Sequence, residues 1–388
     1  MKSFKFQTTS SILSEVGSTG KIGQLMTDLG CQKVAFVTDS LILELGLATA
    51  ALDSLKAAGI TVYIIDDVVA DPPEAMIRAA VEQAKSEGID GVVSVGGGSS
   101  MDTAKLISVL ARPDRPQDLD EMYGVDMVKG GRLPLILAPT TAGTGSEVTP
   151  ISIVTTRTSE KKGVVSAQLY PDWAILDAEL TIGLPAHVTA ATGIDAMVHA
   201  IEAYTTKHAK NILSDTLARQ ALQLLGGAIH KACTQGEDRE ARSDMLLGSM
   251  LAGMAFANAP VAAVHALAYP LGGHFHVPHG LSNALVLPHV LEFNMEDDLA
   301  ASQYSEIAPI IFPELKDKSN AEICSSMVQG FKDLGPDLGM KSTLREVGVN
   351  HNDLPMLAED SMKQTRLLVN NPREMTYDAA LAIYTAAL

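Results

Sequence analysis

Gly91–Val95 reads GVVSV and runs straight into Gly96–Lys105, GGGSSMDTAK, and then Leu106–Leu110, LISVL. The first run is short, largely apolar and rich in valine, as a strand buried on both faces should be. Three consecutive glycines let the backbone turn sharply and approach a ligand with no Cβ in the way. The residues after them have helical character, so the stretch is a strand, a glycine turn and a helix N-terminus. Such a terminus offers free N–H groups and a positive dipole end to an anion. The pattern is neither GxGxxG nor GxxxxGK[ST], so by itself it names no cofactor. A plain glycine-rich turn is the alternative reading.

The same alternation extends outward. Lys33–Thr38 (KVAFVT), Thr61–Ile65 (TVYII) and Leu133–Ala138 (LPLILA) read as further buried strands. Between them, Leu41–Ala58 reads as a helix stopped by Gly59. Asp71-Pro72-Pro73-Glu74 reads as an N-cap with proline in the first turn, and Ile77, Ala80, Val81 and Ala84 then share one face before Gly88. Strand and helix in regular succession predict a doubly wound, Rossmann-like parallel sheet. Ile151–Val154 and Gly163–Ala167, joined by TTRTSEKK, are expected to form a hairpin attached to that layer. After Leu184-Pro185 the alternation stops, and helices are expected over Val188–Tyr204, Ile212–Thr234, Glu237–Asn258, Val261–Leu271 and Leu281–Asn294. The expected organisation is an α/β domain over residues 1–182 and an all-α domain over 183–388. Beyond about Ala300 the chain is helical in tone but carries no readable motif.

Composition narrows the function. The 388 residues carry 29 Lys and Arg against 46 Asp and Glu, a formal charge of −17, with no basic cluster. That argues against nucleic acid or an anionic membrane surface as the main partner. Cys31, Cys233 and Cys324 are too few and too scattered for a disulfide framework or a multi-cysteine metal motif, and they suit a reducing cytosol. The opening MKSFKFQTTS has no apolar segment behind its lysines, so no signal peptide is expected. Leu246–Val264 is long and uncharged enough to raise the question of a membrane span. Ser249, Asn258 and Pro260 interrupt it and small residues dominate, which points instead to closely packed core helices.

A second polar loop, Pro139–Glu147 (PTTAGTGSE), also follows a strand, so the two loops can face one crevice at the carboxyl edge of the sheet. In TGIDAMVHAIEAY, Asp195 and His199 stand four apart and share a helix face. His265, His274, His276 and His279 fall within HALAYPLGGHFHVPHG, inside a stretch from Met245 to Leu291 without Asp, Glu, Lys or Arg. Carboxylate and imidazole from separate helices suit a divalent transition metal at an open, catalytic site. Spacing alone leaves open which of these histidines bind, and any one of them could be a buried residue hydrogen-bonded to backbone.

Taken together, GGGSSMDTAK, PTTAGTGSE, TGIDAMVHAIEAY and HALAYPLGGHFHVPHG resemble the iron-containing, or group III, alcohol dehydrogenases, in the family's order and spacing from about residue 30 to 294. The resemblance implies a dehydroquinate synthase-like architecture, with a dinucleotide-binding domain, a helical domain and a metal in the cleft between them. It places Asp195, His199, His265 and His279 at the metal-ligand positions. It places Gly97, Gly98, Ser99 and Asp102 in the pyrophosphate loop, and Thr140, Thr141 and Thr144 in the second cofactor loop. Thr149 and Lys162 match further cofactor contacts, Asp39 matches the adenosine-ribose position, and Asp71 falls where many relatives have asparagine. Tyr269 departs from the family, many of whose members have histidine there. Tyr269, His274 and His276 are therefore the candidates for the proton path.

The implied chemistry is hydride transfer between an alcohol, aldehyde or ketone and NAD(H), with Fe2+, or Zn2+ instead, acting as Lewis acid on the substrate oxygen. No nucleophile elbow or triad signature competes with it. The alternatives are a metal- and NAD-dependent lyase of the dehydroquinate synthase type, and a maleylacetate reductase-like oxidoreductase. A cytoplasmic homodimer acting on a small molecule is the expected setting.

Overall fold

The strand that heads the glycine turn lies near the middle of a six-stranded sheet. The structure is a computed structural model and describes residues 3–114, 117–157 and 160–388. In chain order the strands are β1 (Ser11–Ser14), β2 (Lys33–Val37), β3 (Thr61–Ile65), β4 (Gly91–Gly96), β5 (Gly124–Val125), β6 (Leu135–Pro139), β7 (Ile151–Thr155), β8 (Lys161–Val165) and β9 (Trp173–Leu176). The main sheet has the order β1-β9-β6-β4-β2-β3, and every neighbouring pair is parallel. Val34 of β2 sits opposite Val62 on one side and Gly91 on the other.

Helices α1 (Ile22–Asp28), α2 (Ser40–Glu44), α3 (Thr49–Ala57), α4 (Glu74–Glu87) and α5 (Gly98–Leu110) belong to this unit. Side chains that alternate along β2 explain why they cover both faces. Ala35 and Val37 join a core with Ile77, Ala80, Val81 and Ala84 of α4 and Met101, Leu106 and Ile107 of α5. Val34 and Phe36 join another with Ile22 and Met26 of α1 and Ala51 and Leu55 of α3. The sheet is doubly wound, as the alternation predicts. From β2 the chain steps outward to β3, then returns to place β4 on the other side of β2. The strand order reverses there, and ligands of open α/β sheets bind at such a point, outside the strand carboxyl ends.

Several local expectations change. Leu41–Ala58 is two helices, α2 and α3, because Gly46 takes φ 72° between them. Pro73, not Asp71, caps α4, and Asp71 itself takes φ 53°, a left-handed conformation that Asp tolerates better than most side chains. The two outer strands SILS and WAIL escape the sequence reading because each has only four residues. The expected hairpin forms, with Ile151 opposite Val165, but it belongs to a separate three-stranded sheet with β5 rather than to the main layer. Of its connection, Thr158 and Ser159 lie outside the described residues.

One compact unit spans Gln7–Ile182, and the other takes in Gly183–Leu388 with the residues before Gln7. The second is built of α6 (Ala186–Thr205), α7 (Ile212–Thr234), α8 (Arg239–Asn258), α9 (Ala263–Phe275), α10 (His279–Asn294), α11 (Asp298–Ile311), α12 (Asn320–Asp337), α13 (Leu354–Met362), α14 (Thr365–Leu368) and α15 (Tyr377–Ala387). Among the described residues no single helix is long and apolar enough to cross a membrane. Helices α8 and α9 reach that length only together, and they bend by 106° at their junction.

Candidate metal centre and cofactor loops

Helix α6 presents Asp195, His199 and Glu202 at helical spacing, so all three lie on one face. His265 sits in the first turn of α9, and His279 is the first residue of α10. Gly280 brings α10 against α6, since a Cβ there would fall 2.4 Å from the Ala191 carbonyl oxygen. One ligand atom from each of Asp195, His265 and His279 lies within 4.8 Å of the other two. His265 Nε2 is 3.8 Å and His279 Nε2 3.7 Å from Asp195 Oδ1. Asp195 and His265 are buried, and His279 is half-buried. Burial pushes the Asp195 carboxyl up, but the His199, His279 and His265 imidazoles and the Asn283 amide outweigh it and hold it below the usual carboxylate value.

His199, the fourth expected ligand, lies against this trio on α6. Its ring lies in a stack, 4.3 Å from Phe256 and 4.6 Å from His265 between centroids. The stack holds the imidazole nearly parallel to both rings, at 20° and 25°. Two further groups complete the surroundings, and neither was anticipated. Glu202 Oε2 lies 2.7 Å from His265 Nδ1, while Oε1 accepts the Val264 N–H at 2.7 Å. Asn283 Nδ2 donates to Asp195 Oδ1 at 2.5 Å. Burial pushes the His265 imidazole down, but the Glu202 contact more than offsets it and the group titrates above its ordinary value.

The proton-path candidates separate. The Tyr269 ring is 5.9 Å from that of His279, beside the trio. His274 is exposed and pairs with Asp360 of α13 at 2.5 Å. His276 is exposed and takes φ 53° as the left-handed C-cap of α9.

In the α/β unit, Gly97 is the N-cap of α5 and Gly98 and Ser99 open its first turn, which contains no acidic residue and no side-chain cap. The second loop packs directly against it. Thr140 N–H donates to the Gly96 carbonyl at 3.0 Å, and a Cβ on Gly98 would come 2.9 Å from Thr144 Cγ2. Thr140 is buried, and Thr141 and Thr144 are half-buried. The two loops therefore share one edge of the sheet, as the sequence suggests.

Asp102 and Thr149, read as cofactor contacts, also bond within the protein. Asp102 accepts from Ser146 Oγ at 2.6 Å and from Ile153 N–H at 2.8 Å. Lys105 Nζ is fully buried and donates to Ser146 Oγ and the Ile151 carbonyl, both at 2.7 Å, and to Thr149 Oγ1 at 3.3 Å. Burial pulls the Lys105 ammonium down and pushes the Asp102 carboxyl up, and their 3.5 Å contact opposes both shifts. Beside them, Glu147 is buried and its carboxyl is pushed up to about 7. This cluster ties α5 to the loop that follows β6.

At the carboxyl end of β2, Asp39 caps α2 by accepting the Ile42 N–H at 3.1 Å. Thr38 Oγ1 donates to the Val95 carbonyl at 2.7 Å, which keeps Asp39 beside the glycine turn. Asp71 pairs with Lys161 at 2.6 Å. Lys162 is exposed, with Nζ 5.7 Å from the centroid of the Tyr123 ring.

Comparison with known proteins identifies the family. Residues 9–178 match the family described as iron-containing alcohol dehydrogenase, and residues 189–388 match the C-terminal part of the Fe-containing alcohol dehydrogenase family. Long-chain-alcohol dehydrogenase 1 of Geobacillus thermodenitrificans is 40% identical over 379 residues, 97% of this chain and 95% of that protein. The solved structure of a 1,3-propanediol oxidoreductase covers 100% of both chains with a TM-score of 0.95 and 33% identity. That of sulfoacetaldehyde reductase from Bifidobacterium kashiwanohense, in complex with NAD+, covers 100% of this chain and 99% of that one, with a TM-score of 0.86 and 26% identity. The chain belongs to the iron-containing alcohol dehydrogenase family and is an oxidoreductase.

Proposed function

We propose that this chain moves a hydride between an alcohol or aldehyde and NAD(H), with Fe2+, or Zn2+ in its place, held by Asp195, His199, His265 and His279. The observation that carries the proposal is the convergence of one carboxylate and two imidazoles within 4.8 Å in the helical unit. Those donors fit a divalent transition ion, and the buried Glu202 behind His265 is the outer carboxylate such sites use. When bound, the ion supplies Lewis acidity toward a hydroxyl or carbonyl oxygen, and the nicotinamide carries the redox change.

The chain's own residues do the placing. Glu202 accepts the Nδ1 proton of His265, which leaves Nε2 as the donor atom facing Asp195. The open first turn of α5 offers N–H groups to a pyrophosphate, with Gly97, Gly98, Ser99, Thr140, Thr141 and Thr144 around it. Asp39 serves the adenosine ribose, and Lys162 and Asp71 serve as further cofactor contacts. Asp102 and Thr149 act one step back, by holding the second loop. The complex of the sulfoacetaldehyde reductase with NAD+ supports this choice of cofactor. The free thiols suit the cytoplasm, where we place the enzyme as a homodimer.

The test is a panel of alcohols and aldehydes run with NAD(H) on protein reconstituted separately with Fe2+ and Zn2+. His265→Ala and His279→Ala should lose bound metal and turnover together, while His274→Ala keeps both. Metal-loaded protein that turns over NADH with no member of the panel would refute the proposal.

A further inference from the structure

Asn283 lies four residues after His279 on α10, hence on the same face, and its side chain is fully buried. Its Nδ2 is 2.5 Å from Asp195 Oδ1, 3.3 Å from His279 Nε2 and 3.4 Å from His265 Nε2. One amide thus touches all three converging ligand atoms. Its Oδ1 is buried and has no hydrogen-bond partner among the described residues. A buried orphan acceptor is costly, so something outweighs it at this position. The carboxylate supplies the reason. If the amide were reversed, Oδ1 would face Asp195 Oδ1 at the same short distance, acceptor against acceptor. The amide therefore stands as it does because Asp195 needs its donor.

We infer that Asn283 is a positioning residue of the metal centre, whose amide N–H fixes the Asp195 carboxylate between the two imidazoles. The inference rests on the metal-site reading above and adds a residue to it. Asn283 acts through Asp195, as outer groups act on the ligands they orient, and losing such a group typically weakens metal binding about 10- to 100-fold.

The test uses Co2+ as the probe on the full chain, read by chelator competition and by its visible spectrum, beside the melting temperature of the metal-free protein. Asn283→Leu keeps the branching at Cγ but removes the donor and excludes water. Asn283→Ser leaves room for a water that can donate to Asp195 in place of the amide. A positioning role predicts Co2+ affinity in the order wild type, Asn283→Ser, Asn283→Leu, with the leucine variant about 10- to 100-fold weaker. It also predicts an altered Co2+ spectrum and a metal-free melting temperature close to that of wild type. Wild-type affinity and spectrum in Asn283→Leu, with the serine variant the weaker, would mean that the residue only fills space and would overturn the inference. Should Asn283→Leu fail to fold, Asn283→Ser decides: weaker Co2+ binding at unchanged melting supports it, and wild-type affinity overturns it. Wild-type protein that takes up no Co2+ overturns the metal centre itself, a result distinct from either.

Discussion

Glu202 reaches from α6 to α9 with both oxygens, one 2.7 Å from His265 Nδ1 and the other accepting the Val264 N–H at 2.7 Å. The same carboxylate therefore orients an imidazole and satisfies an otherwise orphaned donor in the first turn of a helix, where negative charge is favourable. Glu202→Gln should weaken metal binding by about tenfold, and Glu202→Ala by up to about 100-fold. Glu202→Ala should in addition lower the melting temperature of the metal-free protein, because α9 loses its anchor. Chelator competition and thermal melting check the two effects separately.

Gly98 has room for no side chain. A Cβ would lie 2.9 Å from Thr144 Cγ2, so even alanine presses the second loop away from α5. Gly98→Val should raise the dissociation constant for NADH at least about tenfold, equivalent to about 1.4 kcal/mol, with metal content unchanged. Thr144→Ser, which removes the opposing methyl, should partly rescue Gly98→Ala. Unaltered NADH binding in a fluorescence titration of Gly98→Val would leave this loop an ordinary turn.

Asp39 already caps α2 through Oδ1. If the carboxylate also receives the adenosine ribose, the 2′-phosphate of NADP would stand beside a like charge. Such repulsion costs on the order of 1–4 kcal/mol at contact distance, so NAD should be preferred by roughly ten- to several-hundred-fold. Asp39→Gly costs only a few tenths of a kcal/mol as a lost cap and should admit NADP. Comparing kcat/KM for both cofactors on wild type and variant decides between the two roles. A wild type that favours NADP would sink the ribose assignment.

Glu147 supplies a pH signature. Burial raises its carboxyl from 4.5 to about 7, so the folded protein holds a proton there that the unfolded chain releases. Stability from this group is full below about pH 4.5, falls as pH rises toward 7, and is flat above that. A shift of this size corresponds to about 3 kcal/mol. Glu147→Gln should match wild type near pH 4.5 and exceed it by up to about that amount at pH 8. Denaturant melts at both pH values check this, and equal pH dependence in the two proteins would mean that Glu147 ionises freely in the fold.

The doubly wound sheet was legible because β4 and β2 are buried on both faces, which leaves an unbroken apolar run for each. Strands of four residues at the sheet's outer positions leave no such trace. At the candidate metal centre, carboxylate and imidazole types marked Asp195 and the histidine-rich segment, but spacing left the histidines open and only the family resemblance singled out His265 and His279. Glu202 and Asn283 sit at helical spacing from His199 and His279, so the signal was present, but their types are common on any helix. The stack that holds His199 against Phe256 pairs residues from different helices, which periodicity within one helix does not reveal. For Asp102 the sequence offers only its place beside the glycine turn, and the fold adds that its oxygens accept from Ser146 and Ile153.

The stretch from Met245 to Leu291 contains His265 and His279 but no Asp, Glu, Lys or Arg. Within this stretch no charge keeps two exposed copies apart, so its apolar surface depends on being covered. An ion joining His265 and His279 to Asp195 on α6 would clamp this segment in place, and any ion bound only by the folded form draws the population away from open states by mass action. Metal supply would then govern not only turnover but how much of the protein survives in a cell. Starved of the ion, the chain would lose turnover first and would then be drawn more readily into aggregation and proteolysis.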